Sequence, residues 1–237
     1  MGARKVVAIH QPNFFPWLGY FDKIARSDVF VFLDHVQLPK KGGGWSNRVR
    51  MLVAGEPRWV TAPIHRPLHG VAPVNEIEWV EEQPWRSKLM KTLTASYSRA
   101  PFFKETMAWL HPLVLLPECN LAHYNMAVIR AIAEQLGLPH NNCVASSSLG
   151  CDGQASDLLI NLTRKVGGAC YMCGGGASGY QDDQAFEQAG VSLAYQGFHH
   201  PVYPQAGSAD FVPGLSIVDA LMNVGKDRVG ALLAVKY

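Results

Sequence analysis

His10 and Gln11 close a short apolar run, Val6-Val7-Ala8-Ile9, and open a turn that reads Pro12-Asn13-Phe14-Phe15-Pro16 before Trp17-Leu18-Gly19-Tyr20. An imidazole exchanges protons near neutral pH, and a primary amide both donates and accepts hydrogen bonds. Both groups stand at the carboxyl end of a candidate first strand, the edge where open parallel sheets bind ligands. A helix starting just beyond would add unpaired N–H groups suited to an anion. The plainer alternative is that His10 caps the strand and Gln11 serves the turn. A second cluster, His199-His200-Pro201-Val202-Tyr203-Pro204-Gln205, follows another candidate strand. On an extended segment adjacent side chains face opposite ways, so at most one of the two histidines is expected to enter a site. Trp45-Ser46-Asn47-Arg48 follows a glycine run. Arg48 offers a planar fork of donors to a carboxylate or phosphate, though a solvated strand arginine reads the same way.

Other motifs point away from particular chemistries. Cys170-x-x-Cys173 has no second pair at zinc spacing, so two small residues on a buried strand is the better reading, and no metal site is expected. Gly174-Gly175-Gly176-Ala177-Ser178-Gly179 lacks the Lys-Ser/Thr ending of a phosphate loop and the spacing of a dinucleotide fingerprint. It reads as a turn beside a site, and the motifs leave the cofactor unknown. Neither a Gly-x-Ser-x-Gly elbow nor a His-Glu-x-x-His pair occurs. Asp182-Asp183 and Glu81-Glu82 read as solvated.

The elements that must position these residues follow from periodicity. Residues 5–9 predict a buried strand. Trp17, Tyr20, Phe21 and Ile24 fall at helical spacing, with Pro16 suited to the first turn. Val29-Phe30-Val31-Phe32-Leu33 predicts a second buried strand, hence a parallel pair with a right-handed crossover. Shorter strands are expected over 47–53 and 58–62, around a Gly55-Glu56-Pro57 turn. Helices are expected over 85–93, 102–116, 120–136, 156–166 and 217–223, and strands over 169–172 and 191–195. The class is mixed α/β: a largely parallel central sheet flanked by helices, with a helical C-terminal half, in one domain over residues 1–237.

Composition bounds the partners. The chain has 237 residues, 48% hydrophobic and 17% charged, with a formal charge of +2. No basic run or stripe marks a nucleic-acid surface, and no apolar run is long enough to span a membrane. The N-terminal apolar run is too short for a signal-peptide core. Five cysteines, an odd number in a long chain, fit reduced thiols and a cytoplasmic location better than a disulfide framework. The expected partner is a small molecule, and a homo-oligomer is left open.

Six blocks together resemble the WbqC-like protein family: His-Gln-Pro through Pro-Trp-x-Gly-Tyr, residues 31–37, Trp-Ser-Asn-Arg at 45–48, residues 171–180, 200–205 and 215–225. They keep the family's order from end to end. Two departures are visible: Cys173 where Ser is common, and Gln154-Ala155 where a Lys-Thr pair is expected. The resemblance implies a bacterial protein of surface-polysaccharide (O-antigen) or natural-product biosynthesis. It also implies which residues matter, more than what they do: of these, His10 and His200 are read here as catalytic groups, and Gln11, Tyr20, Asp34, Asn47, Arg48, Tyr180, Tyr203, Gln205, Ser216, Asp219 and Asn223 as substrate-binding groups. The resulting expectation is an acyl or aminoacyl transferase acting on an amino-sugar or amino-acid-like molecule. The alternatives are a nucleotidyl or adenylyl transferase and a non-catalytic sugar-nucleotide-binding pathway protein. The strand, histidine turn, helix and strand at 5–33 loosely resemble the nucleotide-binding start of the HIGH-motif nucleotidyltransferases, although Gly19-Tyr20 stands where that motif has Gly-His.

Overall fold

The computed structural model describes residues 4–38, 44–66, 71–174 and 182–233. The first strand, β1 (Val6–His10), runs into helix α1 (Leu18–Arg26) and back into β2 (Val29–Phe32). A hairpin of β3 (Arg48–Val53) and β4 (Glu56–Thr61) stands apart from the main sheet. Helices α2 (Trp85–Tyr97), α3 (Phe103–Val114) and α4 (Leu121–Gln135) follow. The chain then forms β5 (Cys143–Ala145), α5 (Ala155–Lys165), β6 (Cys170–Cys173), α6 (Asp183–Gln188), β7 (Ser192–Tyr195) and α7 (Ile217–Leu233). The mixed α/β class, with its parallel central sheet and helices concentrated toward the C-terminal half, is the one expected. No helix among the described residues is long and apolar enough to cross a membrane.

The five strands lie in the order β5-β2-β1-β6-β7, each parallel to its neighbour. The chain builds outward from β1 to β2 and β5, then crosses to the other side of β1 and builds outward again through β6 and β7. Strand order therefore reverses between β1 and β6. Strands covered on both faces need continuous apolar runs, and Val6-Val7-Ala8-Ile9 and Val29-Phe30-Val31-Phe32 supply them. Alternate side chains serve opposite cores. Val7, Ile9, Val31 and Cys173 pack with Leu158, Leu162 and Phe186 from α5 and α6. Ala8, Phe30, Phe32 and Met172 pack with α1, α4 and α7.

Several boundaries differ from expectation for identifiable reasons. The hairpin turns at Ala54-Gly55, with φ of 54° and 80°, so Glu56 and Pro57 belong to β4 and not to the turn. The last helix continues well past Asn223 to Leu233 through a kink at Gly225, whose φ of 75° suits glycine. β5 and α6 carry too few residues to show a period. Asp182 is exposed as expected, and its side chain accepts from the Ala185 N–H to cap α6.

The end of α5 rests directly on the central strand. A Cβ on Gly168 would lie 2.3 Å from Val7 Cγ2 and 2.9 Å from the Thr163 carbonyl oxygen. Gly168→Ala is expected to lower unfolding stability by about 1–3 kcal/mol through overpacking. Denaturant titration measures this, and an unchanged midpoint would show that α5 yields freely.

Candidate functional site

The reversal of strand order leaves a cleft of about 730 Å³ outside the carboxyl ends of β1 and β6. Its size is ordinary for a small-molecule site. His10 and Gln11 enter it from the end of β1, and Gly174 from the end of β6. Helix α1 contributes Gly19, Tyr20 and Lys23, with Trp17 just before it. The segment after β7 adds Gln196, Phe198, His199 and His200. His10 and His200, far apart in the chain, thus face one cavity.

His10 Nδ1 lies 3.1 Å from the Gln11 carbonyl oxygen. A carbonyl only accepts, so Nδ1 carries the proton and Nε2 keeps its lone pair. The ring meets the edges of Tyr20 at 4.9 Å and Trp17 at 5.7 Å between centroids. Burial pushes the imidazole down to about 3, and the charge of Lys23 acts in the same direction. The ring is therefore neutral across the physiological range. Tyr20 is almost wholly buried in the cleft wall, and its hydroxyl donates to the Gln11 carbonyl at 3.0 Å, so it sets the turn. Burial drives its phenol well above its ordinary value. Gln11 Nε2 reaches the Gln37 carbonyl only at 3.5 Å.

Lys23 went unrecognised in the sequence. Only 6% of it is exposed, and it makes no hydrogen bond or ion pair with the described residues. A Cβ on Gly174 would sit 3.4 Å from its Nζ, which places the amine beneath the end of β6. Burial pushes Lys23 down to about 8, with Cys173 and Asp22 acting the other way. The available signal was its place: α1 lies between the sheet and α7, so residues 18–24 are all buried, and a lysine there must point at something.

The segment carrying the second histidine pair is held at both ends. At one end, Gln196 donates to the Gly19 carbonyl at 2.6 Å and to Asp22 at 2.8 Å, while Arg26 donates to the Gln196 carbonyl at 2.7 Å. At the other end, Asp219 accepts from the Tyr203 hydroxyl and from Gln205, each at 2.9 Å. Gln205 also exchanges hydrogen bonds with the backbone of Val212. Asn223 accepts from the Ala206 N–H at 2.7 Å, and Ser216 donates to the Phe15 carbonyl at 2.7 Å. Tyr203, Gln205, Ser216, Asp219 and Asn223 are all buried and lie outside the cleft lining. They hold the walls and do not line the cavity. Both His199 and His200 line it, because the segment is irregular and strand alternation does not apply. Burial lowers His200 from its ordinary value.

Three further expected residues sit elsewhere, and one is outside the described residues. Asp34 accepts from Ser146 Oγ, Ser147 Oγ and the Ser147 N–H, which ties β2 to the turn after β5. Asn47 is buried and donates to the Ala62 carbonyl at 3.0 Å. Arg48 does not line the cleft; its guanidinium lies 4.3 Å over the Trp59 ring on the hairpin. Tyr180 lies outside the described residues, as does most of the glycine-rich turn. Cys170 and Cys173 are buried in β6, and no three metal-ligating side chains cluster among the described residues.

The model of the WbqC-like protein family matches residues 11–231. The uncharacterized protein Rv1507c of Mycobacterium tuberculosis (strain ATCC 25618 / H37Rv) is 30% identical over 227 residues, covering 94% of this chain and 95% of that protein. No solved structure matches.

The buried acid network makes a prediction of its own. Asp219→Asn replaces an acceptor-only group by an amide and is expected to cost about 1–3 kcal/mol of stability. Thermal unfolding measures the loss. A full-stability variant with ligand binding abolished would instead return Asp219 to the site.

Proposed function

We propose that the chain, which belongs to the WbqC-like protein family, is a cytoplasmic acyl or aminoacyl transferase. Its donor is a phosphate-bearing activated acyl group, such as a CoA thioester or an acyl adenylate. Its acceptor is the amine of an amino-sugar or amino-acid-like molecule in surface-polysaccharide or natural-product assembly. The observation that carries the reading is the buried Lys23 amine at the floor of the cleft where strand order reverses, which makes no hydrogen bond or ion pair with the described residues. An ammonium kept out of water without a protein partner is costly, and a ligand anion offsets that cost.

The other groups take roles from their surroundings. His10, neutral and with Nε2 unprotonated, accepts a hydrogen bond from the acceptor amine; burial makes it too weak a base for more. His200, neutral at pH 7 and at the cleft rim, takes the proton. The amine nitrogen attacks the acyl carbonyl. The C–N bond forms, the bond from the acyl carbon to the leaving sulfur or oxygen breaks, and His200 returns the proton to the leaving group. Gln11 and Gln196 offer amides to orient polar atoms. Nucleotidyl transfer is the second reading, favoured by the strand order and by the strand, histidine turn and helix that open the sheet. Incubation with acyl-CoA, ATP and candidate amines, followed by mass spectrometry, separates them: an N-acyl product supports the first, a nucleotidylated product the second. Neither product would sink both.

Lys23 yields two linked predictions. Its folded pKa lies below the unfolded value, so the unfolded chain holds the proton more tightly. Stability should therefore rise as pH increases from about 8 toward 10.5, and the penalty should be fully present below 8. Lys23→Met should gain on the order of 3 kcal/mol at pH 7 while losing tenfold or more in donor affinity. A destabilised variant with intact binding would reverse the assignment. In the parent protein, kcat/KM for the donor should fall above about pH 8 as the ammonium is lost. A pH profile flat through 8 would remove Lys23 from the site.

A further inference from the structure

The aromatic wall of the cleft continues onto the outer surface. From His10 the ring centroids step 5.7 Å to Trp17, 5.2 Å to Trp45 and 4.9 Å to Trp59. Trp17 belongs to the cleft, whereas Trp45 and Trp59 are 40% and 43% exposed. Large indoles are rarely left in water without use, and these two adjoin at an angle of 64°. They form a notch with tilted walls rather than a closed stack.

The hairpin adds positive charge to the same surface. Arg50 pairs with Trp59 and Arg48 with Thr61 across β3 and β4. Side chains alternate along a strand, so these four share one face, opposite Val49 and Met51, which are buried in the core. Arg48 lies 4.3 Å over the Trp59 ring and Arg50 opposes Trp59 across the ladder, so two cations adjoin a half-exposed indole two rings from the cleft's Trp17. An indole face alone suits any ring, and an arginine alone suits any anion. Together, in line with a cleft, they suit a ligand with a planar ring, an anionic linker and a reactive end.

We propose that the Trp45–Trp59 notch and the Arg48–Arg50 face bind the nucleoside diphosphate of a nucleotide-linked amino sugar, the acceptor. The base packs on the indole surface that Arg48 leaves open, the diphosphate lies against the arginines, and the sugar passes Trp17 so that its amine reaches His10 and His200. This assignment rests on the cleft being the transfer site, and it names the acceptor as a nucleoside diphosphate sugar.

The test uses UDP, dTDP, uridine and inorganic pyrophosphate as probes on the intact chain, read by tryptophan fluorescence and calorimetry. UDP or dTDP should quench the fluorescence. Trp59→Ala and Trp45→Ala should each weaken their binding about tenfold or more, Trp59→Phe should restore most of it, and thermal unfolding should be little changed because both indoles are exposed. Arg50→Gln should weaken the diphosphates more than uridine. Pyrophosphate, held in the cleft, should be insensitive to Trp59→Ala and sensitive to Lys23→Met. Failure of UDP and dTDP to bind, or binding unchanged in both tryptophan variants, overturns the notch while leaving the cleft reading standing. Pyrophosphate binding unchanged in Lys23→Met overturns the cleft reading instead.

Discussion

β1 is hydrogen-bonded to a parallel neighbour along both of its edges, β2 on one side and β6 on the other. Those neighbours are reached by connections leaving in opposite directions, so no connection closes over the carboxyl end between them. The opening there is imposed by topology before any side chain is chosen. What the side chains decide is whether the opening is useful. The last residue of β1 is a histidine, the helix after it carries a lysine on a buried surface, and the tight meeting of Gly168 with Val7 keeps α5 close against the strand on the other face.

Energetics divide the polar residues into two groups. Asp34, Asn223, Ser216 and the acid of α7 all find hydrogen-bond partners inside the protein, which stabilises a particular arrangement of loops. Lys23 finds none among the described residues, and its burial opposes folding. Proteins tolerate such opposition mainly where a ligand later relieves it. Buried scaffold atoms such as Asp219 Oδ1, Asn47 Oδ1 and Asn13 Nδ2 also lack a partner among the described residues, so what sets Lys23 apart is a buried cation that lines the cleft.

The same contrast explains what was legible in the sequence. The β1–α1–β2 unit stood out because a doubly covered parallel strand must be an unbroken apolar run, and because Trp17, Tyr20, Phe21 and Ile24 repeat at helical spacing. The position of His10 followed from the strand end. Tyr203, Gln205, Asp219 and Asn223 were read as ligand contacts because polar residues near a site look alike in sequence whether they face the cavity or bond to one another. Lys23 was invisible because a lysine on a helix reads by default as solvated. The alternation argument for His199 and His200 failed because it presumed an extended strand, and no residue in 199–205 forms one. β5, with three residues, has too little length for any period to show.

The segment from Gln196 to Gln205 resembles a bridge with two buried footings and a span that touches the cavity. Gln196 is clamped by α1, Gln205 by α7, and Val202 between them is 76% exposed. Changes within the span leave both footings intact. Descendants of this scaffold can therefore vary exposed positions of the span such as Val202 without renegotiating the fold, whereas Phe198 packs against the core. The buried networks confer evolvability on the very stretch they immobilise at its ends.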